Sequence, residues 1–159
     1  MEIQIESIKQ DTRDFIISYI SDNWGSPIIV TRGNIYNIEK LPGFVAVIED
    51  EVKGIITYNI QDKQCEIVSL DSLFEKRGIG SLLIEEVIRF ARGKGCKRVW
   101  LVTTNDNIHA IRYYQKRGFN LVKIHRNAVN ESRKIKPEIP LLGFDGIPIV
   151  HKIEFEKIL

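Results

Sequence analysis

The chain has 159 residues, 43% of them hydrophobic, and its 23 basic and 21 acidic residues leave a formal net charge of +2. This is enough for one core of ordinary size, so a single domain over residues 1–159 is expected, and the interleaved, nearly balanced charges argue against nucleic acid or a membrane as an obligate partner. No apolar stretch approaches the roughly 20 residues that span a bilayer, and Met1-Glu2-Ile3-Gln4-Ile5-Glu6 lacks the basic and apolar regions of a signal peptide, so a cytoplasmic protein is expected.

Taken in chain order, the apolar period switches repeatedly between two and 3.6, the pattern of a mixed α/β domain. Residues 2–7 alternate as a strand. Residues 11–22 carry Phe15, Ile16, Tyr19 and Ile20 at helical spacing, and Trp24-Gly25-Ser26-Pro27 should stop that helix. Residues 44–49 and 54–60 read as a hairpin joined by Asp50-Glu51-Val52-Lys53, and residues 64–71 as a third strand. A helix over residues 80–92 leads to a buried strand at 98–104, and a helix over 107–117 to a strand at 119–125. Residues 126–146 are polar, contain Pro137 and Pro140, and leave room for one short helix before a last strand at 147–155.

Between the 64–71 strand and the following helix lies Glu75-Lys76-Arg77-Gly78-Ile79-Gly80-Ser81. Glycines at this junction let successive amide N–H groups turn toward one anion, and the helix adds its unpaired first N–H groups and the positive end of its dipole. Lys76 and Arg77 bring formal charge. A charged surface turn is the commoner meaning of Lys-Arg-Gly alone; the strand-to-helix context favours a phosphate cradle spanning Lys76, Arg77, Gly78, Ile79, Gly80 and Ser81. A Rossmann fingerprint is a weak reading, because Leu83 stands where a third glycine would be needed.

On the 107–117 helix, Asn107, Ala110 and Tyr114 share one stripe, while His109, Arg112 and Lys116 share another that should face water. Asn107 suits a helix cap, and Tyr114 by itself reads as a half-buried aromatic. Glu66 breaks an apolar strand just ahead of the glycine loop, which makes it a candidate base, although a glutamate alternating on a strand is often simply solvated. Cys65 and Cys96 lack ligand spacing and read as buried free thiols, and three scattered histidines give no metal site. His125 and His151 read as surface or interface residues, and Arg133-Lys134-Ile135-Lys136-Pro137 as a basic rim or, the commoner case, a solvated loop.

The two motifs together resemble the GCN5-related N-acetyltransferase (GNAT) superfamily. Its Gln/Arg-x-x-Gly-x-Gly/Ala loop is matched by Glu75-Lys76-Arg77-Gly78-Ile79-Gly80, and its Asn-x-x-Ala-x-x-x-Tyr helix followed by Gly-Phe is matched by Asn107, Ala110, Tyr114 and Gly118-Phe119. The likeness covers roughly residues 44–119. Glu75 departs from the usual Gln or Arg and shifts anion binding onto Lys76, Arg77 and the backbone.

The resemblance implies an α/β (α+β) fold with a mixed, mostly antiparallel central sheet of six to seven strands, helices on both faces, and a splay between the fourth and fifth strands. It implies transfer of an acetyl group from acetyl-CoA, as co-substrate and without a metal, to an amine by direct attack in a ternary complex. In that frame the loop binds the pyrophosphate, backbone groups at Val68 and Leu70 meet the pantetheine arm and the carbonyl, Asn107 hydrogen-bonds the arm, and Tyr114 protonates the departing thiolate. Trp24 and Arg32 lie where the superfamily builds its acceptor pocket, and equally Trp24 reads as a cover for the core. A small-molecule amine is the expected acceptor; transfer to a protein amine and a non-catalytic acyl-CoA sensor are the alternatives, and a homodimer is compatible with the sequence.

Overall fold

The computed structural model describes residues 2–24, 26–31, 34–72 and 78–159, without the side chains of Asn23 and Trp24. It divides into two compact units. The first takes Met1–Ile29, Tyr36–Val99 and Leu159; the second takes Val30–Ile35 and Trp100–Ile158.

In the first unit, β1 (Gln4–Ser7), β4 (Gly43–Ile48), β5 (Glu51–Gln61) and β6 (Gln64–Ser72) pair antiparallel in that order. Helix α1 (Gln10–Trp24) buries Ile16 and Ile20 with Ile29, Ile38, Leu41, Val45 and Ile55 on one sheet face. Helix α2 (Ile79–Gly93) covers the opposite face, where Phe90 packs against Phe44 and Tyr58 with ring centroids 5.8 and 5.4 Å away. Its buried Ile79, Leu83, Ile84, Val87, Ile88 and Ala91 fall at three- and four-residue spacing, so the stripe is the cause of the docking. The expected helices on both faces are thus present here. Two short strands absent from the sequence reading, β2 (Ile28–Val30) and β3 (Ile35–Asn37), form a separate ribbon.

The β4–β5 connection differs from expectation. It is a two-residue turn at Glu49-Asp50, both with positive φ (51° and 65°), and Glu51, Val52 and Lys53 already belong to β5. Such a turn matches the natural twist of paired strands. The ladder then steps from Val47↔Val52 to Ala46↔Gly54, so Lys53 is an extra residue, and Val52 and Val47 both stay against the α1-side core.

The second unit contains β7 (Arg98–Thr104, whose first two residues are grouped with the first unit), α3 (Ile108–Lys116), β8 (Asn120–His125), α4 (Ala128–Ile135) and β9 (Lys152–Ile158). β9 lies between β7 and β8 and pairs antiparallel with β8. The last strand begins later than residue 147 because the preceding backbone is committed elsewhere. Asn105 Oδ1 accepts the N–H groups of Val150 and His151 at 2.9 and 2.8 Å, and its Nδ2 donates to the Pro148 carbonyl at 2.9 Å. Among the described residues, no helix is long and apolar enough to cross a membrane.

Candidate functional site

The glycine loop delivers its second half to the start of α2. Gly78 stands at the N-cap with φ 72°, a left-handed conformation that glycine adopts without strain, and among the described residues, its chain neighbours aside, no atom lies within 4 Å of the position a Cβ would take. The Leu82 N–H donates to the Gly78 carbonyl at 3.1 Å, which closes the first helical turn over Ile79, Gly80 and Ser81. An open approach above Gly78, beside the amide-rich end of a 15-residue helix, suits a phosphate group. Lys76, Arg77 and the anomalous Glu75 lie outside the described residues.

That helix end is fixed from below. A Cβ on Gly54 of β5 would come within 2.5 Å of Ile79 Cγ2 and 3.1 Å of Leu83 Cδ1, so the missing side chain is what lets the first turn of α2 press onto the strand.

β6 carries the other residues of this unit. Its ladder steps from Thr57↔Ser69 to Tyr58↔Ile67, which leaves Val68 without a partner on β5. A bulged residue has backbone groups outside the ladder, so Val68 has the character expected of a backbone contact, and Leu70 rejoins β5 opposite Ile56. The bulge also reorganises the faces. Glu66 pairs with Asn59 and Asp71 with Ile55, positions of one parity on β5, so two carboxyls that strict alternation would separate share the α1 face.

Glu66 is 2% exposed and therefore not a solvated strand residue. Its Oε1 accepts the Tyr36 hydroxyl at 2.6 Å, and Asn59 Nδ2 donates to that hydroxyl at 3.5 Å. Asp71, which the sequence reading passed over, has a buried Oδ2 with no hydrogen-bond partner among the described residues. Burial pushes its carboxyl up to about 6, and burial, then the Asp71 charge, raises the phenol of Tyr19. Tyr36 carried no sequence signal, since its strand is three residues long. Cys65 and Cys96 are free, and burial first, then Cys96 and Glu66, push the Cys65 thiol up to about 12.

In the second unit, Asn107 caps α3 with Oδ1 accepting the Ala110 N–H at 3.1 Å, which leaves its amide N–H groups as donors to a ligand. Ala110 and Tyr114 follow on the same stripe, and His109, Arg112 and Lys116 are exposed as expected. Tyr114 is buried, its ring edge-on to Tyr113 and Phe119 at 5.3 and 5.7 Å and tilted against Phe155 at 6.2 Å. The helix ends where the Phe119 N–H returns to the Tyr114 carbonyl at 3.0 Å, so the Gly-Phe pair of the motif locks the tyrosine's turn.

Residues 126–151 close on this corner. Besides the Asn105 clamp, the buried Asp106 accepts the Phe144 N–H at 3.1 Å, and Arg133 donates to the carbonyls of Pro140 and Ile149 at 2.7 and 2.8 Å. Arg133 is therefore an internal staple and not part of a solvated loop. Buried Lys152 donates to the Thr31 carbonyl at 2.6 Å and to Ser132 Oγ at 2.5 Å, tying the Val30–Ile35 segment to α4. His125 also departs from expectation: it turns inward onto buried Glu154, Nε2 to Oε1 at 3.0 Å. Of the acceptor candidates, Trp24 ends α1 with its side chain outside the description, and Arg32 lies outside the described residues. No group of His, Cys, Asp and Glu able to hold a metal occurs among the described residues.

The sequence model of the Acetyltransferase (GNAT) family matches residues 11–119, which include both motifs. The chain belongs to that family. As a GNAT protein it is an acetyl-CoA-dependent N-acetyltransferase. An uncharacterized Bacillus subtilis protein, YxbD, is 44% identical over 141 residues, covering 88% of this chain and 89% of its own. The spermine/spermidine N(1)-acetyltransferase of the same organism is 28% identical over 134 residues, 75% of this chain and 88% of its own. A Bacillus subtilis acetyltransferase solved in complex with CoA shares the fold, with a TM-score of 0.73 at 20% identity over 99% of both chains.

Proposed function

We propose that the protein acetylates the amine of a small molecule, by direct attack on acetyl-CoA in a ternary complex. The observation that carries the small acceptor is the closure of residues 126–151 onto Asn105 and Asp106, directly ahead of Asn107. A peptide needs an open groove along which its backbone can lie, and a segment stapled by Asn105, Asp106, Arg133 and Lys152 opposes one. The spermine/spermidine relative supports an amine of this class.

In this reading the amide N–H groups of Gly78, Ile79, Gly80 and Ser81, with Lys76 and Arg77, hold the pyrophosphate. Backbone groups at Val68 and Leu70, together with the Asn107 amide, orient the pantetheine arm, and an N–H beside the bulge polarises the thioester carbonyl. Glu66 takes the proton shed by the amine as the C–N bond forms. As the C–S bond breaks, the Tyr114 hydroxyl protonates the sulfur as the general acid. Selection of the acceptor is assigned to Trp24 and Arg32. We read residues 1–159 as one catalytic domain, because the family match draws on both compact units. Two free buried thiols agree with a cytoplasmic location.

A thiol-release assay over amines, peptides and aminated antibiotics tests the acceptor class. Release with small amines and none with peptides is expected; peptides preferred over every small amine would overturn it.

A further inference from the structure

The sheet face that α1 covers holds a hydrogen-bonded pair that the family motifs do not include. Glu66 is fully enclosed, so an acceptor amine has no direct approach to its carboxylate. Tyr36 is only partly buried, and its hydroxyl donates to Glu66 Oε1 at 2.6 Å. Tyr36 and the bulged Val68 pack against the same core formed by Ile16, Ile20, Val45 and Ile55, so the phenol and the bulge lie on one side of the sheet. The short bond therefore connects an enclosed base to a partly exposed phenol.

We propose that Tyr36 relays the acceptor's proton to Glu66, an inference that rests on the acetyl-transfer reading. A hydroxyl gives one proton while receiving another on its oxygen. As the amine attacks, its N–H bond breaks and the proton bonds to Tyr36 Oη, while the phenolic proton passes to Glu66 Oε1. The lone pair of the amine nitrogen forms the bond to the carbonyl carbon, and the pair from the broken N–H bond remains on nitrogen. The C–S pair leaves on sulfur, which is protonated in turn, so the step closes with the neutral acid at Glu66 and needs no further reactant. Asn59 Nδ2, 3.5 Å from the Tyr36 oxygen, steadies it during the exchange. This assigns a role to an enclosed carboxylate that is otherwise a costly group to bury.

The test compares Tyr36→Phe, Glu66→Gln and the double variant by thiol release, by calorimetric acetyl-CoA binding, and by the ring-carbon NMR resonance of labelled Tyr36. Each single variant should lose about 10²-fold in turnover, the usual weight of one acid–base group, with acetyl-CoA affinity unchanged. The double variant should be no slower than the singles, because both interrupt one path. The Tyr36 resonance should shift in Glu66→Gln, a variant that preserves side-chain shape and keeps the relay testable should Tyr36→Phe fold poorly. Turnover of Tyr36→Phe within threefold of the parent, or single losses that multiply in the double variant, would overturn the relay alone. Failure of the parent chain to release thiol with any amine would overturn the acetyl-transfer reading and the relay with it.

Discussion

Replacing Gly54 by alanine should couple fold stability to cofactor binding through one methyl group. The new Cβ would stand 2.5 Å from Ile79 Cγ2, about 0.9 Å inside the 3.4 Å at which ordinary contact begins. Cγ2 sits on a branched Cβ whose rotamer is stiff within a helix, so the strain passes to the backbone of Ile79, the first residue of α2. Overpacking of this kind costs about 1–3 kcal/mol, which for a chain of this size lowers the melting temperature by roughly 2–12 °C. Because the amides that meet the pyrophosphate belong to the same turn, acetyl-CoA affinity should fall about tenfold, equivalent to about 1.4 kcal/mol. Thermal unfolding and calorimetric titration read the two effects separately. A Gly54→Ala protein that melts and binds like the parent would refute the argument that Gly54 sets the height of α2 and, through it, the phosphate cradle.

Tyr114→Phe removes the proposed acid and should reduce turnover about 10²-fold with acetyl-CoA affinity within twofold of the parent; unchanged turnover in the thiol-release assay would remove Tyr114 from the mechanism. Asp71 gives a stability prediction with a definite sign: its carboxyl sits at about 6 in the fold against 3.8 for a free aspartate, so between those values the folded chain binds a proton that the unfolded chain has released. Its contribution to stability therefore falls as pH rises from 3.8 to about 6 and stays low above, and Asp71→Asn should stabilise at pH 7 by on the order of 2 kcal/mol and not at pH 4; equal melting shifts at both pH values would contradict this. Asn105→Ala strips three hydrogen bonds from the 148–151 backbone. At about 1 kcal/mol each it should destabilise by about 3 kcal/mol and open residues 126–151 to limited proteolysis; an unaltered digestion pattern would show that Asn105 does not hold the segment.

Parts of this molecule were legible because a local pattern decides them. The 98–104 strand carries the continuous apolar run Val99-Trp100-Leu101-Val102, which marks it in the sequence, and the glycine loop reads as a strand-to-helix turn because its flanks differ in period. The Asn107 stripe was readable for the same reason: capping and three- and four-residue spacing are properties of α3 alone.

What escaped depends on partners distant in sequence. Strict alternation would separate Glu66 from Asp71, whereas an extra residue at Val68 joins them on one face, and a bulge of this kind leaves no mark in a single sequence. Tyr36 meets Glu66 across 30 residues from a strand too short to show a period. Residues 126–146 read only as polar chain because their polar groups meet Asp106 and the backbone of the following segment, pairings that composition does not encode.

The central claim is that a small amine receives the acetyl group of acetyl-CoA on this chain, and the most direct measurement follows the acetyl carbon itself. The protein is incubated with spermidine and acetyl-CoA labelled in the acetyl group, and the products are resolved by mass spectrometry. The account predicts labelled N-acetylspermidine and free CoA in equal amounts, formed at a rate proportional to protein concentration and lost in Tyr114→Phe. Labelled acetyl-CoA recovered intact beside unmodified spermidine and every other small amine tried, while the protein binds acetyl-CoA, would contradict it.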